Sequence, residues 1–203
     1  MTLTRKVLCL VYMAGIATCI EASAEDGTPR SSVEKLVDAV RIYKDGKEST
    51  LSQADKASNE RAAKVANASL AIQEVSRTAL GPQWDKLSAA QRSDFVALVT
   101  DLFERIAYPK SSTFFGDLQV EYKSEKIDGD RATVLTIVRH PKEGLVAIDY
   151  KLQRTAGGWL IHDILLDEVS LATDLRSQIQ KVLREESYSR LLERMREKLR
   201  DNS

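Results

Sequence analysis

Cysteine is nearly absent from this 203-residue chain: its two cysteines, Cys9 and Cys19, both fall within the first 20 residues. The rest of the chain has no thiol for a disulfide, a nucleophile or a thiolate metal site. Histidine is as scarce, with only His140 and His162, which leaves too few ligands for a zinc centre of the usual His/Cys type. Net charge is absent as well. The chain has 30 basic and 30 acidic residues, without the basic excess that marks nucleic-acid binding or attraction to an anionic membrane surface. There is no G-x-S-x-G elbow, no glycine-rich phosphate loop and no H-E-x-x-H helix. Beyond residue 24 no apolar run approaches the roughly 20 residues needed to span a bilayer.

What is present begins at the N-terminus. Arg5 and Lys6 precede an apolar stretch from Val7 to Ala17, and Ala22-Ser23-Ala24 offers the small-x-small pattern that a signal peptidase cuts. The expectation is a cleaved secretory signal over residues 1–24, followed by one domain over 25–203. Removing the signal takes away Arg5, Lys6 and Glu21, leaving the charge close to balance.

Periodicity gives the elements. Val33, Leu36, Val37 and Val40 form one helical face, capped by Ser31 or Ser32 and ending near Gly46. Residues 50–80 read as helix with a break around Asn67 to Ser69, closed by Leu80-Gly81-Pro82. Ser88-Ala89-Ala90-Gln91 is a capping box. The helix it opens, over 89–107, has Phe95, Leu98, Val99, Leu102, Phe103 and Ile106 on one stripe and stops at Tyr108-Pro109. Four strands follow, about 118–127, 131–139, 145–154 and 159–166, joined by hairpin-length turns such as Asp128-Gly129. Two charged helices, 169–186 and 188–200, end the chain. Helices, then an antiparallel meander, then helices again is an α+β layout.

Little in this layout supports catalysis. His140 sits in a turn before Pro141, and His162 shares a strand with Leu160 and Ile164, as a half-buried histidine would. An isomerase using Asp149, Tyr150 and Asp163 is the enzymatic alternative. Alternation along a strand opposes it, because Asp149 and Tyr150 point to opposite faces. A binding or adaptor protein without cargo is a further alternative.

Several segments together resemble one family. Ala79-Leu80-Gly81-Pro82-Gln83-Trp84 with Gln91-Arg92 and Phe95, then Trp159 to Ile164, Val169 to Ile179 and Leu191 to Lys198, are similar in order and spacing to the periplasmic toluene-tolerance, MlaC-like phospholipid-binding proteins. Asp174, Leu175 and Glu168 depart from the usual residues of that pattern, and the stretch from Tyr108 to Asp117 is more like a branch associated with hopanoid loci. The resemblance implies a cone similar to the NTF2-like fold, and a non-enzymatic monomer needing no cofactor or metal. It implies a phospholipid or hopanoid-like lipid as cargo. It also implies partners in an inner-membrane ABC transporter's substrate-binding subunit and an outer-membrane lipoprotein complex. The pocket it implies lies between sheet and helices. Its expected lining is Phe95, Leu98, Leu102, Phe103 and Ile106 from the long helix, Val134, Ile148, Tyr150 and Ile161 from the sheet, and Leu171 at the mouth.

Overall fold

The structure, a computed structural model, describes residues 27–46 and 49–202. The expected signal segment lies outside the described residues. Chain order runs α1 (Pro29–Arg41), α2 (Gln53–Ser69), α3 (Ile72–Leu80), a 3-10 turn (Gly81–Lys86), α4 (Ala89–Leu102), a π turn (Phe103–Ala107) and α5 (Tyr108–Phe115). Then come β1 (Val120–Asp128), β2 (Arg131–His140), β3 (Gly144–Thr155), β4 (Gly158–Leu166) and β5 (Val169–Ser170), followed by α6 (Leu171–Glu185) and α7 (Tyr188–Asp201). The strands pair antiparallel in sequence order, so the α+β meander is present with one strand more than the four expected.

The fifth strand follows a two-residue turn. Asp167 and Glu168 both take positive φ, 45° and 70°, which lets a tight hairpin place Val169 opposite Leu166 and Ser170 opposite Leu165. Ser170 then caps α6 through its hydroxyl, which accepts from the Thr173 N–H at 3.0 Å. A turn without glycine concealed this hairpin from pattern reading.

Helix α1 starts before the expected serines. Thr28 caps it, its hydroxyl accepting from the Ser31 N–H at 3.1 Å, and Pro29 supplies a preset first-turn φ. Ser32 instead donates to the Trp159 carbonyl at 2.8 Å and ties α1 to β4. The break between α2 and α3 falls at Leu70 and Ala71, just past the expected position. There the Ala71 N–H donates to the Ile161 carbonyl at 2.8 Å, so the break docks on β4.

The capping box at Ser88 and Gln91 forms as expected. The end of that helix differs. Pro109 has no N–H to continue an α-helical ladder, yet the chain does not stop. It widens by one residue, so that the Tyr108 N–H bonds the Phe103 carbonyl five residues back, and α5 continues with Pro109 in its first turn.

Two apolar cores result. One packs α1, α2 and α5 on the inner face of the sheet around Val33, Val37, Val134, Val138, Ile148, Tyr150 and Leu152. The other, built from α3, α4, α6, α7 and Trp84, centres on Leu80, Phe95, Leu98, Val99, Ile179 and Leu191. The stripe of α4 therefore faces other helices, not the sheet as expected. Periodicity identifies which face is buried but not what buries it.

Candidate functional site

Leu70 and Phe103 pack against both cores, and between the cores lies a cavity of about 650 Å³. Its wall is mainly apolar. Helix α1 contributes Leu36, Val37 and Val40, and the π turn and α5 contribute Phe103, Ala107, Tyr108, Phe114 and Phe115. The sheet supplies Val146, Ile148, Tyr150, Ile161 and Ile164, and α6 closes one side with Leu171 and Leu175. The rim carries the exposed Lys110, Glu143, Asp167 and Leu166, and the last is joined there by Leu171, which is 43% exposed.

Of the ten residues expected at a pocket, Phe103, Ile148, Tyr150, Ile161 and Leu171 line this cavity. The other five are placed elsewhere. Phe95 and Leu98 are buried in the helical core, and Leu102 packs against that core. Ile106 is half-buried in the π turn without lining the cavity, and Val134 is buried in the sheet core. Sequence reading missed the α1 wall, although the stripe Leu36, Val37 and Val40 was visible. The helix α5 escapes it as well, because Pro109 reads as a stop.

The phenols in and beside the wall are held neutral. Burial raises the Tyr108 phenol, with nearby Glu104 adding to the shift, and its hydroxyl donates to Asn67 Oδ1 at 2.6 Å. Asn67 in turn donates to Glu104 Oε1 at 2.7 Å. The Phe103 and Tyr108 rings stack at 6.3 Å, and Tyr43 meets Tyr108 edge-on at 5.7 Å. Burial also raises Tyr150, which is 2% exposed, and takes the Tyr43 phenol to about 12. All three stay protonated near neutral pH.

A β-bulge in β4 sets His162 out of alternation: Lys151 pairs with Asp163 while Leu152 pairs with Ile161. His162 is half-buried, and burial, then the adjacent Arg131, lowers its pKa. Asp163 is committed to the start of α6, with Oδ1 accepting from the Ala172 N–H at 3.1 Å and Oδ2 from the Ser170 hydroxyl at 2.8 Å. Asp149 lies opposite Leu135 and Leu165, while buried Tyr150 lies opposite Val134 and Ile164. The three groups of the isomerase alternative therefore share no common point. His140 is less free than a turn residue: its ring stacks on Phe114 at 5.3 Å, and Nδ1 accepts from the Lys142 and Glu143 N–H groups at 3.3 and 3.2 Å. Among the described residues no group of three His, Cys, Asp or Glu side chains could hold a metal.

A solved structure of a phospholipid-binding protein from Ralstonia solanacearum, in complex with a phospholipid, has the same fold, with a TM-score of 0.65 at 15% identity, covering 84% of this chain and 95% of that one. No curated protein matches the chain. The family model described as MlaC protein matches residues 34–197, most of the length over which α1 to α7 build the two cores and the cavity between them, and the chain belongs to that family.

Proposed function

We propose that this chain is a periplasmic lipid carrier that holds acyl chains in the cavity between its two cores. It would pass them between an inner-membrane ABC transporter's substrate-binding subunit and an outer-membrane lipoprotein complex. The single observation that carries the reading is a large, mainly apolar cavity with a mouth edged by Leu166 and Leu171. Family membership and the phospholipid held by the Ralstonia solanacearum protein support it.

The energetics fit such a task. A tail of about 16 carbons forfeits roughly 0.8 kcal/mol per methylene in water, on the order of 12 kcal/mol in all. That is a prohibitive barrier to free diffusion. Moving the tail from bilayer to apolar cavity exchanges one hydrocarbon surrounding for another, so the transfer is close to neutral. No bond need be made or broken. About 650 Å³, at roughly 30 Å³ per water-sized group, holds about 20 such groups. The cavity as it stands takes one long chain in full, or parts of two.

The test is native mass spectrometry of protein purified from cells, with extraction of what it carries. A two-chain phospholipid at near-equal stoichiometry supports the reading, and a polycyclic hopanoid-like lipid would change the cargo but keep the carrier. Protein that stays empty after exposure to phospholipid vesicles, and moves no labelled lipid between two vesicle populations, would leave the cargo-free adaptor as the better account.

A further inference from the structure

Beside the apolar cavity lies a second recess of about 190 Å³, between α3, the start of α6 and the bulge in β4. The two share Val75, His162, Asp163 and Ala172 as wall residues. The two therefore adjoin at these side chains.

The charges of the recess are unequally engaged. Its two carboxylates are occupied. Asp163 holds the Ala172 N–H and the Ser170 hydroxyl. Glu74 pairs with Arg77 at 3.3 Å and accepts from Thr78 at 3.4 Å. Its guanidiniums are not matched in this way. Arg131 reaches Gln153 at 3.2 Å, and its ion pair with Asp130 is stretched to 4.0 Å across exposed surface. Arg131 Nη1 also stands 3.4 Å from His162 Nε2. Among the described residues Arg176 has no ion pair. The recess thus combines spare cationic donors with an imidazole turned toward them by a bulge. That is the chemistry of a phosphate site.

We infer that this recess holds the phosphate of the bound lipid's headgroup, with Arg131 and Arg176 as its anchors. The inference rests on the carrier reading above. It adds that headgroup charge is read by the protein and is not simply left in solvent. His162, neutral beside Arg131 in the empty recess, would gain a proton more readily once an anion sits between them.

The experiment compares lipids that differ only in the headgroup. Delipidated protein is titrated with dioleoyl phosphatidylglycerol and with dioleoylglycerol, using wild type and the double variant Arg131→Gln/Arg176→Gln. Both residues are exposed, so the fold should survive, and a thermal melt checks it. Should the double variant melt early, the Arg131→Lys/Arg176→Lys pair, which keeps charge but loses the planar fork, replaces it. Wild type should prefer the phosphate-bearing lipid by roughly tenfold or more, the scale of one charge-assisted hydrogen bond in a partly wet site. The variant should lose that preference. Lipid addition should also shift the His162 ring resonances. If wild type binds both lipids equally, or the variant keeps the full preference, the recess inference is wrong while the carrier stands. If wild type binds neither lipid, both fail. A final arm adds inorganic phosphate to empty protein. If phosphate moves the His162 signals while no headgroup preference exists, the recess is a site for free phosphate and the headgroup assignment falls.

Discussion

Placing a phenyl ring at position 107 tests whether the space between the cores is empty of side chains and available to a tail. Ala107 lies in the π turn and lines the cavity. Ala107→Phe adds about six carbons, against room for about 20 water-sized groups. A tail must then vacate about six positions at roughly 0.8 kcal/mol each, on the order of 5 kcal/mol for a chain that filled the cavity, or more than three decades in Kd. Shorter chains lose less, so the lipids retained should shift toward tails shorter by about six carbons. The assay is mass spectrometry of extracted lipid combined with titration of delipidated protein. Ala90→Phe, at an exposed position on α4, serves as the control. Stability supplies an independent arm. Overpacking a filled core costs about 1–3 kcal/mol, and each kcal/mol moves Tm by roughly 2–4 °C at this size. A ring entering open space should leave the Tm of the empty protein within about 2 °C. Unchanged chain length and affinity with an intact fold would refute the cavity as the tail site. A large fall in Tm would show that position 107 is already packed.

Three further outcomes follow from single side chains. The Ser76 hydroxyl is fully buried and has no hydrogen-bond partner, so Ser76→Ala should raise unfolding free energy by about 1 kcal/mol in chemical denaturation; a loss of similar size would show that the hydroxyl has found a partner. Glu168 holds φ at 70°, a conformation costing a side-chain-bearing residue on the order of 1 kcal/mol, and Glu168→Gly should recover most of it unless the turn rearranges. The fold lowers the pKa of His162, first by burial and then through Arg131. Its stabilising contribution is therefore complete above the ordinary histidine value and is lost as pH falls through the folded value. The denaturation midpoint of the empty protein should drop on acidification below about 6.5, and in His162→Gln that part of the drop should vanish. An identical pH profile in the variant would assign the loss to carboxylates instead.

The elements were largely legible in the sequence, and their partners were not. The capping box at Ser88 and the run of hairpins rest on local chemistry, so they appear where a local reading places them. Failures came where a local signal was overridden. Pro109 reads as a stop, but a π turn carries the chain past it. Asp167-Glu168 contains no glycine, yet makes the hairpin that adds β5. His162 reads as alternating with Leu160 and Ile164, but a bulge re-aims it toward Arg131. The site suffered from a different gap. Val33, Leu36, Val37 and Val40 form as clean a stripe as Phe95, Leu98, Val99 and Leu102, and nothing in spacing says that the first faces the sheet and cavity while the second faces α3 and α7. Five of the ten expected lining residues therefore line the cavity, while Phe95, Leu98, Leu102 and Val134 pack in or against a core away from it and Ile106 does neither.

The division into two cores also bears on why a cavity of this size is tolerated. A void within one core strips contacts from residues on every side, at about 24 cal/mol per Å³ in a well-packed protein. For about 650 Å³ that rate would exceed the net stability of most domains, typically 5–15 kcal/mol. Here the void opens along one side of the sheet core, whose Val37, Val40, Ile148, Tyr150 and Ile161 form much of its wall, and it meets the helical core only at Leu70, Phe103 and Leu175. Val134, Val138 and Leu152 complete one packing unit, and Leu80, Phe95 and Ile179 complete the other. Across the gap run the α2–α3 break at Leu70 and the α4–α5 junction at Phe103, each docked on both sides. The helical core is complete without the void, and the sheet core keeps Val134, Val138 and Leu152 packed behind the wall. The linking segments are a helix break and a π turn, the places where a helix yields most readily. A chain in the cavity should accordingly quiet hydrogen exchange at Leu70, Ala71 and the 103–107 turn more than in the middle of either core.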